Sequence, residues 1–433
     1  MVWNETMECM SRDEMHKIQS IRLKKVVERV YHNTPFYRKK MQESGVTPDD
    51  IETIEDIVKL PFTVKNDLRD NYPFGLMASP MSEIVRLHAS SGTTGKPIVV
   101  GYTRNDLTVW NEGVARCLTA YGLTKNDVVQ VSYGYGLFTG GLGAHGGTEY
   151  IGGTVIPMSS GNTQKQIQLM HDFGANALAC TPSYALYLAE TIHESGIPIE
   201  EFKLRIGAFG AEPWTENMRK ELEDKLRIKA YDIYGLTEIS GPGVGGECEY
   251  QDGTHLWEDH FYPEIVDPET LLPVESGKFG ELVFTTLTKD GMPMIRYRTR
   301  DLTRLNYEKC RCGRTAVRMD RILGRSDDML IIKGVNVFPS QVESVILELP
   351  EFEPHYIILV DRVDNTDTFQ IQVEVRPEYY SDEMNKILAL KKKIAARMQS
   401  VIGIQPDIKI VEPRSLERSQ GKAKHVIDNR KLA

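Results

Sequence analysis

The residues best suited to phosphate chemistry lie in one short segment, Ser90–Pro97, which reads Ser-Ser-Gly-Thr-Thr-Gly-Lys-Pro. Its glycines allow the backbone to approach anionic oxygens closely, its hydroxyl and N–H groups donate hydrogen bonds, and its lysine adds a positive charge. It is not a Walker A loop, because Ser90 stands where that motif has its first glycine and Pro97 follows the lysine. The segment therefore predicts a nucleotide site outside the P-loop fold.

Four further motifs follow this loop in order along the chain. They are Tyr231–Glu238, Tyr297–Asp301, Gly324–Gly334 and Ser419–Lys424. The set, in this order and over residues 85–430, resembles the adenylate-forming superfamily, which includes acyl-CoA synthetases, adenylation domains and luciferases. Each motif is weak alone, and the resemblance depends on all five being in register.

Finer details of the sequence resemble one branch, the phenylacetate–CoA ligases. These details are the short length of the chain and the segments Tyr133–Gly141, Phe209–Pro213 and Glu258–Phe261. The resemblance implies a ligation in two steps with ATP, Mg²⁺ and coenzyme A. A carboxylate attacks the α-phosphate of ATP to give an acyl adenylate and pyrophosphate, and coenzyme A then displaces AMP to give a thioester.

The resemblance implies which residues hold the triphosphate and do the chemistry. Lys422 would bridge the substrate carboxylate and the α-phosphate, while Glu238 would coordinate Mg²⁺ and Thr237 would touch phosphate. Lys424 is a rival for the role of Lys422, which we prefer because Gly421 before it leaves room for close approach. The β- and γ-phosphates would be held by Ser90, Ser91, Gly92, Thr93, Thr94, Gly95 and Lys96.

The nucleoside would be held by residues of three motifs. By resemblance, Tyr234 would stack on adenine and Asp232 would accept from its exocyclic amine. Asp301 would accept from both ribose hydroxyls, since one carboxylate can take two donors. Arg325 would lie near the ribose and the α-phosphate. The remaining residues predicted around the nucleotide are Gly210, Ala211, Glu212, Ile233 and Gly235.

An aromatic and glycine-rich stretch, Tyr133–Gly143, predicts the wall of the acyl pocket. Aromatic side chains make flat walls, and glycines leave space for a ring. No lysine or arginine lies between Tyr133 and Tyr150, which favours a compact and uncharged acyl tail such as phenyl. The alternative is a buried strand followed by a glycine loop. The candidate residues are Tyr135, Phe138, Gly140, Gly141, His145, Ala211 and Pro213.

A hinge is implied at Asp327, two residues after the arginine of the Gly-Arg motif. By resemblance, a C-terminal domain would rotate there between the two steps, bringing either Lys422 or the segment Lys333, Gly334 and Val335 to the active site. The second conformation would line the pantetheine tunnel. The alternative is that Asp327 only caps a helix or a turn.

One group of residues is typical of a metal site rather than of this chemistry. Cys310 and Cys312 are separated by one residue, and Cys248 and His255 lie upstream in an irregular, glycine-rich stretch. Three cysteines and one histidine would make a closed tetrahedral Zn²⁺ site of structural type. The spacing matches no standard zinc finger, and unligated thiols are the alternative.

The elements that must position these motifs alternate between strands and helices from residue 85 to residue 235. Such alternation predicts a mostly parallel sheet with helices on both faces, which binds ligands at the carboxyl ends of its strands. The predicted strands are Val128–Ser132, Thr154–Pro157, Ala177–Cys180 and Leu204–Phe209, with helices over 162–172, 182–195 and 214–226.

The segments on either side of this region have different predicted secondary structure. Residues 11–44 predict a helical, amphipathic stretch, and residues 253–305 predict a β-rich subdomain. The last hundred residues predict a small α/β unit. Its predicted elements are strands at Tyr356–Val360, Phe369–Val375 and Asp407–Val411, a turn at Asp364-Asn365 and a helix over Ser381–Val401.

The predicted fold class is therefore α/β. We expect a large N-terminal adenylation domain over residues 1–326, with parallel sheets flanked by helices, and a small mobile C-terminal domain over residues 327–433.

Composition narrows the range of partners. The chain has 433 residues, a net charge of −9, and 41% hydrophobic and 26% charged residues. The acidic balance argues against nucleic acid, and no apolar stretch is long enough to cross a membrane. Without a recognisable signal peptide, the expected location is cytoplasmic. The expected partners are an aryl acid, ATP and coenzyme A, and a homodimer is left open.

Two other functions compete with the ligase. The first is an adenylyltransferase of the same fold that transfers AMP without making a thioester. The second is a non-catalytic nucleotide-binding module, against which the retained Lys422 argues.

Overall fold

The structure is a computed structural model that describes residues 1–90, 97–333, 335–363, 366–380 and 383–430. Its α-helices are α1 (Glu5–Glu8), α2 (Arg12–Asn33), α3 (Pro35–Glu43), α4 (Lys65–Asp70), α5 (Arg104–Ala120), α6 (Thr139–Tyr150), α7 (Thr163–Asp172), α8 (Pro182–Ser195), α9 (Glu216–Leu226), α10 (Pro339–Leu347) and α11 (Met384–Ile402). Its strands are β1 (Arg86–Ala89), β2 (Val99–Tyr102), β3 (Val128–Val131), β4 (Thr154–Pro157), β5 (Ala177–Cys180), β6 (Ile206–Gly210), β7 (Lys229–Leu236), β8 (Gly241–Gly246), β9 (Thr254–Leu256), β10 (Phe261–Val266), β11 (Gly280–Thr286), β12 (Tyr297–Thr303), β13 (Leu305–Asn306), β14 (Arg318–Met319), β15 (Gly324–Arg325), β16 (Leu330–Ile332), β17 (Val335–Val337), β18 (Phe352–Val363), β19 (Thr366–Val375), β20 (Asp407–Val411) and β21 (Val426–Asp428).

The N-terminal helical stretch is divided in two. Ser11 caps α2 by accepting a hydrogen bond from the Glu14 N–H, and the helix ends at Asn33, before Thr34-Pro35. Proline disfavours the α conformation in the residue before it but is well suited to the first turn of a new helix, so α3 begins at Pro35.

The central sheet has the predicted parallel part and an antiparallel extension. Its strand order is β13-β14-β9-β8-β7-β6-β5-β3-β4 among the described residues. The strands from β4 to β7 run parallel, and β8, β9, β14 and β13 continue the sheet antiparallel. The predicted strands near residues 128, 154, 177 and 206 are therefore confirmed, and their carboxyl ends share one edge.

The predicted β-rich segment is built on antiparallel pairing of β10 with β11 and of β11 with β12. Every residue of β11 is buried, as are the first three of β12. Tyr297 and Arg298 pair with Phe284 and Val283 of this buried middle strand, and the register then shifts before Leu302, so the Tyr297–Asp301 motif spans an irregularity in the pairing.

The C-terminal region has a core of its own. Strands β20, β19, β18 and β21 form one sheet in that order, and α10 and α11 add apolar side chains to its core. The predicted strands Tyr356–Val360, Phe369–Val375 and Asp407–Val411 are confirmed, and the helix spans Met384–Ile402. The predicted turn at Asp364-Asn365 and the predicted helix start at Ser381 lie outside the described residues.

The chain divides into two compact units. The first comprises Met1–Cys180, Glu200–Ala211 and Lys229–Arg321, and the second comprises Thr181–Ile199, Glu212–Ile228 and Ile322–Ala433. The second unit thus gathers α8 and α9 with the C-terminal region. Among the described residues, no helix has the length and apolar character that a membrane span requires.

Candidate active site

The ends of the predicted phosphate loop are held together by an antiparallel hairpin. In it, β1 pairs with β2, and Ala89 lies opposite Val99. The Ser90 N–H donates to the Ile98 carbonyl at 2.9 Å, and the Ile98 N–H donates to Ser90 Oγ at 3.2 Å. Ser91, Gly92, Thr93, Thr94, Gly95 and Lys96 lie outside the described residues. The hairpin therefore fixes the two points at which the loop begins and ends.

Two motifs that are distant in sequence meet at the edge of the first unit. Tyr234 lies in β7 and Asp301 in β12, and the Tyr234 hydroxyl donates to Asp301 Oδ2 at 2.7 Å. This contact joins the residue predicted to stack on adenine to the residue predicted to bind ribose. A ring and a carboxylate in this arrangement suit the two parts of one nucleoside.

The other residues predicted around the base lie on adjacent strands. Gly210 ends β6 directly opposite Ile233 of β7, and Ala211 follows it with a positive φ of 72°. Asp232 is held through its backbone, because its N–H donates to Glu247 Oε2 at 2.7 Å and its carbonyl accepts from the Tyr121 hydroxyl at 2.8 Å. These residues share the carboxyl edge of the parallel strands, where such sheets bind ligands.

Glu238 and Thr237 follow β7 and are both buried. The Thr237 hydroxyl lies 3.4 Å from that of Thr139, at the start of α6. The Glu238 carboxylate and these hydroxyls are hard oxygen ligands of the kind that Mg²⁺ prefers. The residues present therefore fit the predicted magnesium site.

Lys289 is a site residue that sequence reasoning missed. Its buried ammonium donates to the carbonyls of Ile239 at 2.7 Å and Glu238 at 3.3 Å, and lies 4.8 Å from the ring centre of Tyr102. Burial lowers the pKa of Lys289 to about 8, although the charges of Asp106 and Glu238 raise it. In sequence, Lys289 stands in a turn typical of solvated lysines, so no local signal marks it.

The predicted acyl pocket brings Tyr135 and His145 together. The Tyr135 hydroxyl lies 3.2 Å from His145 Nδ1, and the rings meet edge to face with centres 5.9 Å apart. Gly140 and Gly141, which lie between Tyr135 and His145 in the sequence, are buried, whereas Phe138 is 40% exposed. Burial raises the pKa of Tyr135, and the charge of Glu149 adds to the rise. The phenol is therefore neutral at physiological pH, and its place in the acyl pocket stays a prediction.

The glycine-rich stretch is a helix from Thr139 onward, not the glycine loop that was the alternative. Its glycines allow close packing on α5 and β8. A Cβ added at Gly147 would overlap the Val114 side chain, and one at Gly143 would meet Pro242 and Trp110. Tight helix packing therefore explains part of the glycine content that sequence analysis assigned to the acyl pocket.

In the second unit, hydrogen bonds hold the segment that carries Lys422 on both sides. The Thr181 hydroxyl donates to the Gly421 carbonyl at 3.1 Å, and the Ala423 N–H donates to Glu212 Oε2 at 2.8 Å. The N–H and hydroxyl of Ser183 donate to the other oxygen of Glu212, at 2.8 and 2.5 Å. Burial raises the pKa of Glu212, although these donors and the Lys422 charge oppose the rise. Lys422 and Lys424 are both exposed, and Pro213 follows Glu212 in the same unit.

The Gly-Arg motif also lies in the second unit. Arg325 donates two bonds to Asp327, from Nε to Oδ1 and from Nη2 to Oδ2, both at 2.9 Å. Lys333 adopts a positive φ of 51° between β16 and β17, and Val335 begins β17. Gly334 lies outside the described residues.

The predicted metal ligands also come together. The ligand atoms of Cys248, His255, Cys310 and Cys312 all lie within 4.8 Å of one another in the first unit. They belong to β9 and to the loops that follow β8 and β13. Sequence spacing alone could not show this, because β9 and β14 pair only in the folded sheet.

Comparisons with known proteins agree with this geometry. Residues 10–287 match the AMP-binding enzyme family, and residues 334–430 match the AMP-binding enzyme C-terminal domain. The chain is 49% identical to the phenylacetate-coenzyme A ligase of Thermus thermophilus over 100% of both chains. It is 51% identical to the enzyme of that name from Pseudomonas putida over 98% of this chain and 97% of the relative. It is also 51% identical to the phenylacetate-coenzyme A ligase of Escherichia coli, over 99% of this chain and 98% of the relative.

Solved structures match the fold over the same length. A 2-hydroxyisobutyryl-CoA ligase in the postadenylation state matches with a TM-score of 0.92 and 29% identity, over 98% of this chain and 91% of that chain. The same ligase in complex with 2-HIB-AMP and CoA, in the thioesterification state, matches with a TM-score of 0.73 and 30% identity. This match covers 98% of this chain and 92% of that chain. The predicted fold class, with its large N-terminal and smaller C-terminal domain, is confirmed. The chain therefore belongs to the phenylacetate–coenzyme A ligase family of the adenylate-forming superfamily, and it is an acid–thiol ligase.

Proposed function

We propose that the acid this enzyme ligates to coenzyme A is phenylacetate or a close aryl acid. The family reaction is an ATP-dependent ligation of an acid to coenzyme A through an acyl adenylate. The observation that carries the proposal is identity near one half, over essentially the whole chain, to three phenylacetate-coenzyme A ligases. The neutral Tyr135 and the absence of lysine and arginine between Tyr133 and Tyr150 support an aromatic, uncharged acyl tail.

In the proposed first step, a carboxylate oxygen of the acid attacks the α-phosphorus of ATP. The bond to the bridging oxygen breaks, and pyrophosphate leaves with the electron pair. Tyr234 holds adenine, and its hydroxyl orients Asp301 toward the ribose. Residues 90–96 hold the leaving pyrophosphate. Lys422 stabilises the charge that develops between the carboxylate and the α-phosphate.

Mg²⁺ at Glu238 is part of the proposal and supplies positive charge beside the phosphates. Lys289 positions this carboxylate from behind, because it binds the carbonyls of Glu238 and Ile239. Since the Lys289 ammonium donates to backbone oxygens, it orients the peptide without occupying the Glu238 side chain. A structural Zn²⁺ is the other proposed metal and takes no part in the reaction.

In the proposed second step, the sulfur of coenzyme A attacks the acyl carbonyl and AMP leaves, while the thiol proton is released. This step needs the C-terminal domain, residues 327–433, to rotate about Asp327 and present Lys333, Gly334 and Val335. The rotation would part contacts within the second unit that join residues before the hinge to residues after it. Two of them are the bonds from Thr181 to Gly421 and from Ala423 to Glu212.

A further set of such bridging contacts surrounds the Lys422 segment. His355 Nε2 lies 2.8 Å from Glu190 Oε1, and Arg418 Nε lies 3.3 Å from Glu190 Oε2. Glu343 Oε1 accepts from the Thr215 N–H at 3.2 Å. We call these five contacts the latch: Thr181–Gly421, Glu212–Ala423, Glu190–His355, Glu190–Arg418 and Thr215–Glu343.

The experiment that tests the proposal is an assay of a panel of aryl and alkyl acids with ATP, Mg²⁺ and coenzyme A. Phenylacetate or a close aryl acid should give the highest kcat/KM, with AMP and pyrophosphate as products. Formation of ADP would contradict the reaction, and preference for a charged or short alkyl acid would contradict the substrate. AMP transfer without thioester would favour the adenylyltransferase instead. A cytoplasmic location and a homodimer stay predictions.

A further inference from the structure

A buried cluster of four ligand atoms lies apart from the residues assigned to the reaction. Cys248 and Cys310 bring their Sγ atoms to 3.8 Å, and Cys312 Sγ lies 3.5 Å from His255 Nε2. Ligands at ordinary zinc distances around a tetrahedral ion stand about 3.8 Å apart for two sulfurs and about 3.6 Å for sulfur and nitrogen. The spacing of the cluster is therefore that of a four-coordinate site.

The backbone builds this cluster from strand β9 and from the loops after β8 and β13. The Gly313 N–H donates to the Cys310 carbonyl at 3.0 Å, and the Cys310 N–H donates to the Arg314 carbonyl at 3.1 Å, which closes a tight turn. Gly313 has a φ of 95°, a conformation that favours glycine. The turn brings both of its thiols to one side, where they face Cys248 and His255.

A disulfide does not explain the arrangement. The Sγ atoms of Cys248 and Cys310 lie 3.8 Å apart, which far exceeds a disulfide bond of about 2.05 Å. All six cysteines carry free thiols.

The surroundings of the cluster are those of a metal site. His255 Nδ1 lies 3.4 Å from the Ala316 carbonyl, a contact that places the ring proton on Nδ1 and leaves Nε2 to bind. Arg314 Nη1 lies 3.5 Å from Cys312 Sγ. Three thiolates and one neutral imidazole around Zn²⁺ would carry a net charge of −1, and the Arg314 guanidinium, which also pairs with Glu8, places positive charge beside one of these sulfurs.

We propose that Cys248, His255, Cys310 and Cys312 bind one structural Zn²⁺. Three thiols give up their protons as the ion binds, and no electrons are exchanged. Four protein ligands leave no open position for water or substrate, so the ion stabilises structure. The proposal does not depend on which acid the enzyme uses.

The ion would stabilise two parts of the first unit. On one side, Arg314 Nε donates to Glu8 Oε2 at 2.6 Å, and Thr315 donates through its N–H to the Glu8 carbonyl at 3.0 Å, which ties the N-terminal segment to the turn. On the other side, Glu247 precedes Cys248 and binds the backbone of Asp232. Loss of Zn²⁺ should therefore loosen both the N-terminus and the strand proposed to face adenine.

The first test is the metal content of the full-length protein purified without chelators, measured by mass spectrometry. About one zinc ion per chain is expected. Cys310→Ser and Cys312→Ser should each lower this to less than about a tenth, whereas Cys9→Ser, at a nearby cysteine outside the cluster, should retain it. Protein that is purified and incubated with Zn²⁺ but binds none, or binds iron instead, would overturn the proposal, as would equal loss in the Cys9→Ser control.

A second measurement uses the unmodified protein, so it tests the proposal even where the variants fail to fold. Zinc should be released in proportion to thiols titrated with a mercurial reagent, and Co²⁺ should bind in its place with the strong visible bands of tetrahedral thiolate ligation. Weak bands typical of octahedral Co²⁺, or zinc that stays bound after all thiols have reacted, would contradict ligation by these cysteines.

Discussion

The buried ion pairs of the first unit and the ion pairs of the latch, in the second unit, differ in their exposure to water. Arg116 and Asp259, which pair in the first unit, are 1% and 2% exposed at their side chains, and Arg314 and Glu8 are fully buried. In the latch, Glu190 and its partners His355 and Arg418 are 13–16% exposed. The ion pair between Glu194 and Arg414 also joins a residue before the proposed hinge to one after it. Its side chains are 42% and 62% exposed.

This difference has a physical consequence. Breaking a buried pair leaves a charge that neither water nor protein compensates, which costs about 3–5 kcal/mol. A pair close to water exchanges its partner for solvent at a cost of about 1 kcal/mol or less. On the proposed rotation about Asp327, the latch would therefore open at a lower cost than these buried pairs of the first unit would. The Arg418–Glu374 pair fits this pattern, because it lies wholly after the hinge and its carboxylate is fully buried.

The largest expected effect comes from Lys422→Ala. Removing its charge should slow acyl-adenylate formation by about 10³-fold, the usual order for loss of one group that stabilises a transition-state charge. Thioester formation from a supplied acyl adenylate should stay within about threefold, because the second conformation uses a different face of the domain. The measurement is pyrophosphate release against thioester yield. Lys424→Ala is the matched control, and an equal loss in both steps would assign Lys422 another role.

Next in size is Arg116→Met in the first unit. Arg116 Nη1 lies 2.7 Å from Asp259 Oδ1 and its Nη2 lies 2.7 Å from Glu112 Oε1, so the substitution leaves two carboxylates without their main partner. The free energy of unfolding should fall by about 3–5 kcal/mol in urea titration. Arg304→Met, at an exposed pair with Asp320, should cost about 1 kcal/mol or less. Similar losses of stability in both variants would contradict the difference drawn between buried and exposed ion pairs.

A pH dependence follows from His260. Burial lowers its pKa to about 4 from 6.5, although the Asp259 charge raises it. Between these values the unfolded chain binds a proton that the folded chain does not, so stability present above pH 6.5 is lost as the pH falls toward 4. The loss in the free energy of unfolding should reach about 3 kcal/mol. It should disappear in His260→Gln but persist in His16→Gln, whose side chain is exposed.

The smallest effect is expected in the latch. The pKa of Glu190 is lowered to about 2, because His355 and Arg418 outweigh burial, which raises it. Glu190→Gln removes this charge, so it should lower the free energy of unfolding by up to about 3 kcal/mol, the size that the pKa shift sets. It should also favour opening, raising the rate of thioester formation relative to adenylation by more than about twofold. Glu348→Gln, at a pair that lies wholly after the hinge, should leave the ratio unchanged. A fall in the ratio would contradict the latch.

Sequence could predict the elements and motifs because these are local. The strand at Ala177–Cys180 is an unbroken apolar run. The Tyr231–Glu238 motif, expected just after a strand, instead lies largely within β7, and only Thr237 and Glu238 follow the strand. Long-range contacts had no such signal. Lys289 stands in an ordinary turn sequence, and the buried site beneath Glu238 exists only once β7 and β11 are in place. Likewise, nothing near Glu212 in sequence indicates that Ser183 and Ala423 bind its carboxylate.

The most direct test of the central claim, that the latch must open between the two steps, is a reversible cross-link across it. Thr181→Cys replaces the hydroxyl by a thiol, and Gly421→Cys adds a Cβ and a thiol to the residue whose carbonyl accepts from that hydroxyl at 3.1 Å. The added Cβ meets no atom within 4 Å, so the new side chain has room. The oxidised protein should still release pyrophosphate from ATP and acid. Its thioester formation from a supplied acyl adenylate should fall more than about 100-fold and return on reduction. Equal thioester formation in the oxidised and reduced protein would contradict the account.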